Sequence, residues 1–134
     1  MKILGVIPTR YNSSRFPGKP LADILGKPMI AWVYETMKRV ENIDEIYVAI
    51  DDERVARVCE RFKIPYIMTS KDNKTHIDRV YEVSNKIKAD YYVVLFGDEP
   101  LIESEIISQV IPEAPCKNRP KFKFLKENLI VQAR

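Results

Sequence analysis

Ile3-Leu4-Gly5-Val6-Ile7-Pro8-Thr9-Arg10-Tyr11-Asn12-Ser13-Ser14-Arg15-Phe16-Pro17-Gly18-Lys19-Pro20 joins an unbroken apolar run to a loop of cations and small residues. The run Ile3–Pro8 lacks the polar alternation of a half-exposed strand and reads as a strand buried on both faces of a parallel sheet. The loop behind it carries Arg10, Arg15 and Lys19, with Ser13, Ser14 and Gly18 between them. Such a loop suits a nucleoside triphosphate, whose oxygens need fixed positive charge and close backbone N–H donors. Gly18 supplies torsional freedom where the loop closes, and Pro17 and Pro20 stiffen it.

Outward from this stretch the chain alternates strand and helix. Pro28 suits a first helical position, and Ile30, Val33, Tyr34 and Met37 recur at the period of an amphipathic helix. Glu45–Ile50 reads as a second strand, ended by Asp51-Asp52, and Val55, Val58, Cys59 and Phe62 as the apolar stripe of a second helix. Tyr66–Met68 makes a short third strand. Ile77, Val80, Tyr81, Ser84 and Ile87 mark a third helix, residues 91–96 a fourth strand, and Ile106, Ile107, Val110 and Ile111 a final helix ended by Pro112. Four such strand–helix units joined by short loops predict an α/β fold, a three-layer, doubly wound, Rossmann-like domain with a mostly parallel sheet. No internal repeat is visible.

Sheets of this kind bind ligands beyond the carboxyl ends of their strands, near a switch in strand order. The loop from Arg10 to Lys19 follows the first strand, and Phe96-Gly97-Asp98-Glu99-Pro100 follows the fourth. If those strands are neighbours, both segments share one crevice. A polyphosphate clamp facing a strand-end carboxylate predicts a metal-dependent nucleotidyltransferase.

Composition agrees with one soluble domain. The chain has 134 residues, 46% apolar and 31% charged, which is ordinary for a globular protein. A net charge of +3 is too small to imply nucleic acid. The N-terminal apolar run is too short for a signal peptide or a membrane span. Cys59 and Cys116 form no motif, so a reducing, cytoplasmic setting is expected, with no membrane and no nucleic acid as partner.

The sequence resembles the CTP-dependent cytidylyltransferases that activate acidic sugars, the 3-deoxy-manno-octulosonate (Kdo) and acylneuraminate enzymes among them. The residues that carry the likeness are Ile7-Pro8-x-Arg10-Tyr11, Ser14-Arg15-x-Pro17-Gly18-Lys19-Pro20-Leu21 and Ile24-Leu25-Gly26-Lys27-Pro28-Met29-Ile30. Asp51-Asp52-Glu53-Arg54-Val55, Met68-Thr69-Ser70, Asp78-Arg79 and Gly97-Asp98-Glu99-Pro100-Leu101-Ile102 extend it in the family's order. The resemblance implies that Arg10, Lys19 and Asp98 are catalytic, with Asp98 holding Mg²⁺. It implies a nucleotide site of Pro8, Thr9, Arg10, Ser13, Ser14, Arg15, Gly18, Lys19, Arg79, Phe96 and Gly97. Thr75, His76 and Arg79 would meet the acceptor. The expected reaction transfers CMP from CTP to an acidic small-molecule acceptor, a Kdo-like or nonulosonic sugar acid, and releases pyrophosphate.

Two positions depart from the Kdo pattern: Thr75-His76-Ile77 stands where Ser-Gly-Thr is usual, and Phe96 where Gln is usual. Family chains are also about twice this length, and their later half carries a second metal-binding aspartate, acceptor contacts and dimer surface. Two other readings follow: a domain that activates a small phosphonate, or a non-catalytic nucleotide-binding module. A homodimer or a fused or partner domain would then complete the site.

The core is expected over residues 1–112. Residues 113–134 form a basic, Pro-containing segment (a tail, an edge strand or a linker), in which Phe122 and Phe124 alternate with lysines and are expected to pack inward. Other residues have plainer readings. Cys59 lies on an apolar stripe and reads as core. Asp51-Asp52 suit a strand end and helix start. Thr75-x-x-Asp78 reads as a capping box, which makes His76 an exposed first-turn residue.

Overall fold

A computed structural model describes residues 2–11 and 18–95, together with the backbone of strands Phe122–Leu125 and Asn128–Gln132. The apolar run becomes strand β1 (Ile3–Pro8), buried at all six positions. It pairs in parallel with β4 (Glu45–Ile50) on one side and β6 (Tyr91–Val94) on the other. Beyond β4 lies β5 (Tyr66–Met68), also parallel. The strands written in chain order as first, second, third and fourth therefore stand as third, second, first, fourth. Growth of the sheet reverses at β1 and β6, which are neighbours, as the shared crevice requires.

The period of two along β1 sorts its side chains to two layers. Ile3 and Ile7 join one cluster with Ile30, Val33 and Met37 of α1 (Met29–Lys38) and Val55 and Cys59 of α2 (Glu53–Arg61). Leu4 and Val6 face the other way, against Val80 and Val83 of α3 (His76–Lys86). Sheet and helices thus make the expected three layers. Gly5 sits where the sheet meets α1: a Cβ there would come within 3.2 Å of Met37 Cγ and Ile46 Cγ1. Among the described residues, no helix is long and apolar enough to cross a membrane.

The structure corrects three sequence expectations. Pro28 is not the first helical residue. It is the extended cap of α1 (φ −66°, ψ 151°) and part of a hairpin formed by β2 (Asp23–Ile24) and β3 (Lys27–Pro28). The apolar stripe of α3 is also shifted: Ile77 and Tyr81 are exposed, and Val83 takes the buried place beside Arg79 and Val80. His76 is half-buried, not exposed. Within residues 113–134, expected as a tail, an edge strand or a linker, Asn128–Gln132 forms strand β8, antiparallel to β6. It also pairs with β7 (Phe122–Leu125), so the later strands extend the sheet. The side chains of Phe122 and Phe124, the helix expected at 106–111 and the end of the strand expected at 91–96 lie outside the described residues.

The hairpin is anchored where Trp32 Nε1 donates to Ile24 O at 2.7 Å, and Lys27 pairs with Glu35 at 2.6 Å. Its turn residues both take positive φ, Leu25 at 50° and Gly26 at 89°. This suits Gly or Asn but crowds the Cβ of leucine. Leu25 is 90% exposed, so no burial offsets the strain. Leu25→Asn is expected to raise stability by about 0.5–1 kcal/mol in urea unfolding. An unchanged or lower midpoint would refute the strain.

Candidate functional site

β1 ends at buried Pro8, and Thr9 behind it is also buried, its N–H given to Ala49 O and its hydroxyl to Ile7 O. The chain surfaces at Arg10, which is exposed. Tyr11 and Gly18 then meet: Gly18 N–H donates to Tyr11 O at 2.8 Å, and Gly18 takes φ +76° with the Tyr11 ring alongside. A Cβ on Gly18 would lie 3.2 Å from the Tyr11 hydroxyl, so glycine serves both the torsion and the close approach. Tyr11 and Gly18, the residues on either side of 12–17, therefore meet at one point; Ser13, Ser14 and Arg15 lie outside the described residues. Half-buried Lys19 opens the single 3-10 turn Lys19–Leu21 just past this closure.

The end of β4 supports the closure. Asp51 Oδ1 accepts the Tyr11 N–H at 3.2 Å. Asp52 caps α2, accepting from Arg54 N at 2.8 Å, and its carboxylate also binds the Arg54 guanidinium. Those side-chain hydrogen bonds hold Asp52 well below the usual carboxylate range. The Arg54 guanidinium in turn lies 3.5 Å from the centre of the Tyr11 ring. The pair reads in part as expected, since Asp52 starts a helix. Asp51 has a different duty, which its place beside Asp52 in the sequence does not signal.

From the other face, Arg79 of α3 reaches the same place. It is 2% exposed, and burial lowers its pKa, opposed by the nearby Asp51 and Glu82 carboxylates. Its Nη2 donates to Asp51 Oδ2 at 3.3 Å, and Nη1 to Thr69 Oγ1 at 2.6 Å and Ser70 O at 3.3 Å. Its Nε is buried with no hydrogen-bond partner among the described residues. Arg10 and Arg79 line one cleft of about 170 Å³ with Tyr11, Asp51, Lys71 and Asn73. The volume is that of a subsite for part of a ligand, not of a whole ligand pocket.

Thr75 and His76 do not line this cleft. Thr75 caps α3, its Oγ1 accepting from Asp78 N at 3.1 Å, as the capping box predicts, and His76 is the first helical residue. Lys71 and Asn73, from the loop before them, take the lining positions that sequence reasoning missed. Phe96, Gly97 and Asp98 lie outside the described residues. Among those described, no group of three or more His, Cys, Asp or Glu is placed to hold a metal. Cys59 is core, as expected, and burial pushes its thiol up to about 12.

The loop carrying Lys71 and Asn73 is fastened by Glu82, which accepts from Ser70 N at 2.9 Å, Asn73 Nδ2 at 2.9 Å and Lys86 Nζ at 2.8 Å. Partial burial acts to raise the Glu82 pKa, but hydrogen bonds from Lys86, Ser70 and Asn73 outweigh it and bring it from 4.5 to about 2. A carboxylate with a depressed folded pKa contributes stability that is present above its unfolded value. That stability is lost as pH falls from about 4.5 through about 2. Glu82→Gln should flatten the acid limb of the stability curve over that window, as measured by urea unfolding at a series of pH values. An acid limb identical to that of the unchanged chain would show the fastening to be energetically silent.

Comparison with known proteins completes the description. The cytidylyltransferase family pattern matches residues 4–132. The chain is 46% identical over 120 residues to a 3-deoxy-manno-octulosonate cytidylyltransferase of Geobacter sulfurreducens, covering 90% of this chain and 47% of the relative. It is 48% identical over 112 residues to the mitochondrial counterpart of Arabidopsis thaliana, covering 82% and 39%. Among solved structures, a CMP:2-keto-3-deoxy-manno-octonic acid synthetase complexed with CTP superposes with a TM-score of 0.81 at 46% identity, over 82% of this chain and 46% of that one. A cytidylyltransferase of Leptospira borgpetersenii, 19% identical, shares the fold with a TM-score of 0.77, over 98% and 60%. The chain spans less than half the length of the curated relatives named here.

Proposed function

The chain belongs to the cytidylyltransferase family, and on that premise we propose that it binds CTP and transfers CMP to an acidic, Kdo-like sugar acid. The observation that supports this most strongly is the 46% identity to a synthetase solved with CTP, over most of the chain. In the proposed reaction an acceptor oxygen attacks the α-phosphorus in line. The bond to the β-phosphate oxygen breaks, and pyrophosphate leaves with the electron pair. Little covalent chemistry is asked of the protein, which must align the partners and neutralise charge on the departing phosphates.

Arg10, Arg15 and Lys19 supply that charge, carried on a loop whose ends are closed by Tyr11 and Gly18. The backbone N–H groups of the loop add donors. Magnesium held by Asp98 and phosphate oxygens belongs to the same proposal, since Mg²⁺ commonly uses one or two carboxylates and keeps waters. When bound it would offset phosphate charge. Arg79, buried and tied to Asp51, lines the cleft together with Arg10, and Thr75 and His76 at the start of its helix would meet the acceptor. A cytoplasmic setting and a second copy or further domain contributing acceptor contacts complete the reading.

Calorimetric titration with CTP, UTP, GTP and ATP, each with and without Mg²⁺, tests it. Selective CTP binding strengthened by Mg²⁺ is expected. Equal binding of all four nucleotides, or none, would overturn the reading for this chain.

A further inference from the structure

The peptide group between Arg10 and Tyr11 is pinned from outside its own loop. Its N–H, on Tyr11, donates to Asp51 across 40 positions of sequence, and the other oxygen of that carboxylate takes a guanidinium hydrogen of Arg79, 28 positions further on. Both side chains are largely removed from water, 14% exposed for Asp51 and 2% for Arg79. Tyr11 then accepts from Gly18, which closes the loop. A peptide unit is rigid and planar, so fixing its N–H fixes the plane from which the Arg10 backbone departs.

We propose that Asp51 is a positioning residue: it sets the Arg10–Tyr11 peptide plane and the closed base of the loop, and Arg79 holds its carboxylate in register. The role in nucleotide binding rests on the reading given above, whereas the positioning itself does not. A carboxylate suits this place because both neighbours are donors. An amide would keep an acceptor for Tyr11 but turn its own N–H₂ toward Arg79. Asp51 contacts no reacting atom in this scheme and acts through Arg10.

The test compares Asp51→Ala, Asp51→Asn and Val83→Ala in the whole chain, by amide exchange and by CTP titration. Val83, buried on α3 four residues beyond Arg79, serves as the control for lost packing, since its truncation leaves Asp51, Arg79 and Tyr11 themselves unchanged. Asp51→Ala is expected to speed exchange of the Tyr11 and Gly18 amides roughly 10-fold or more beyond the change in Val83→Ala, the scale of one lost charge-assisted hydrogen bond. It should weaken CTP binding while Val83→Ala does not. Asp51→Asn should speed exchange less, though still more than the control, and it carries the comparison if Asp51→Ala does not fold. Tyr11 and Gly18 amides that exchange no faster than in Val83→Ala would overturn the positioning role. An unchanged chain that binds no CTP would overturn the nucleotide reading instead, and exchange would still decide the role of Asp51.

Discussion

Lys19→Ala is expected to lower CTP-dependent pyrophosphate release by about 10²-fold or more and to leave the melting transition near that of the unchanged chain. The two halves of this expectation have separate causes. The ammonium belongs to the residue directly after the Tyr11–Gly18 closure, at the start of a single 3-10 turn that packs against α1 and α2. Charge preorganised there acts most strongly when phosphate charge grows, so its loss falls on the reaction. The turn itself is held by Pro20, which is buried, and by the Leu21 N–H donating to Gly18 O at 2.9 Å, neither of which needs the lysine side chain. Asp98→Ala should lose turnover to a similar degree, on the sequence reading of Asp98 as the magnesium ligand. Coupled detection of pyrophosphate beside a thermal melt separates rate from fold. Near-normal turnover in either variant would remove the proposed chemistry, and a collapsed melt for Lys19→Ala would make Lys19 a structural residue.

Asp51→Ala is expected to cost about 3 kcal/mol of stability. Arg79 keeps its bonds to Thr69 and Ser70, but its buried guanidinium would lose the carboxylate it hydrogen-bonds, with Glu82 left as the nearby counter-charge, and its Nε already lacks a partner among the described residues. The penalty is that of the abandoned charge, not the net strength of the pair. Asp51→Ala combined with Arg79→Met should therefore recover much of the loss, because the methionine removes the buried charge and fills similar space. Urea unfolding of both single variants and the double variant measures this. A single-variant loss below about 1 kcal/mol would mean that water reaches Arg79 and screens it. Failure of the double variant to recover would show that the hydrogen bonds to the loops, not the charge, set the cost.

The parts of the fold legible in the sequence are those set by near neighbours. β1 announces itself because a strand buried on both faces has no polar alternation, and all six of its residues are buried. The Thr75 cap and the Gly18 turn follow from side-chain chemistry within three or four residues. The stripes of α1 and α2 follow from helical period, with Ile30, Val33, Met37, Val55 and Cys59 all inside. The stripe of α3 was misleading for a physical reason: Arg79 is counted polar by type, yet its partners at Asp51, Thr69 and Ser70 allow it to be buried, and the helix turns toward them. Ile77 and Tyr81 are left outside as a result.

The candidate site divides in the same way. The cationic loop, the strand-end carboxylate and the likeness to a family were readable from residue types and their order alone. That β1 and β6 are neighbours was only a condition until the sheet order was known, because pairing between residues 88 positions apart leaves no trace in either segment. β8 is a similar case, a strand of ordinary composition whose place depends on the free edge of β6. Asp51 is the clearest example. In the sequence it is one of two adjacent acids before a helix, and Asp52 does cap that helix. Only the folded chain brings Tyr11 and Arg79 to its two oxygens, since what selects a carboxylate there is a pair of donors distant in sequence and a site with little water. Local periodicity and chemistry marked most of the elements and pointed to the kind of ligand proposed; which side chains meet was decided by packing across the sheet.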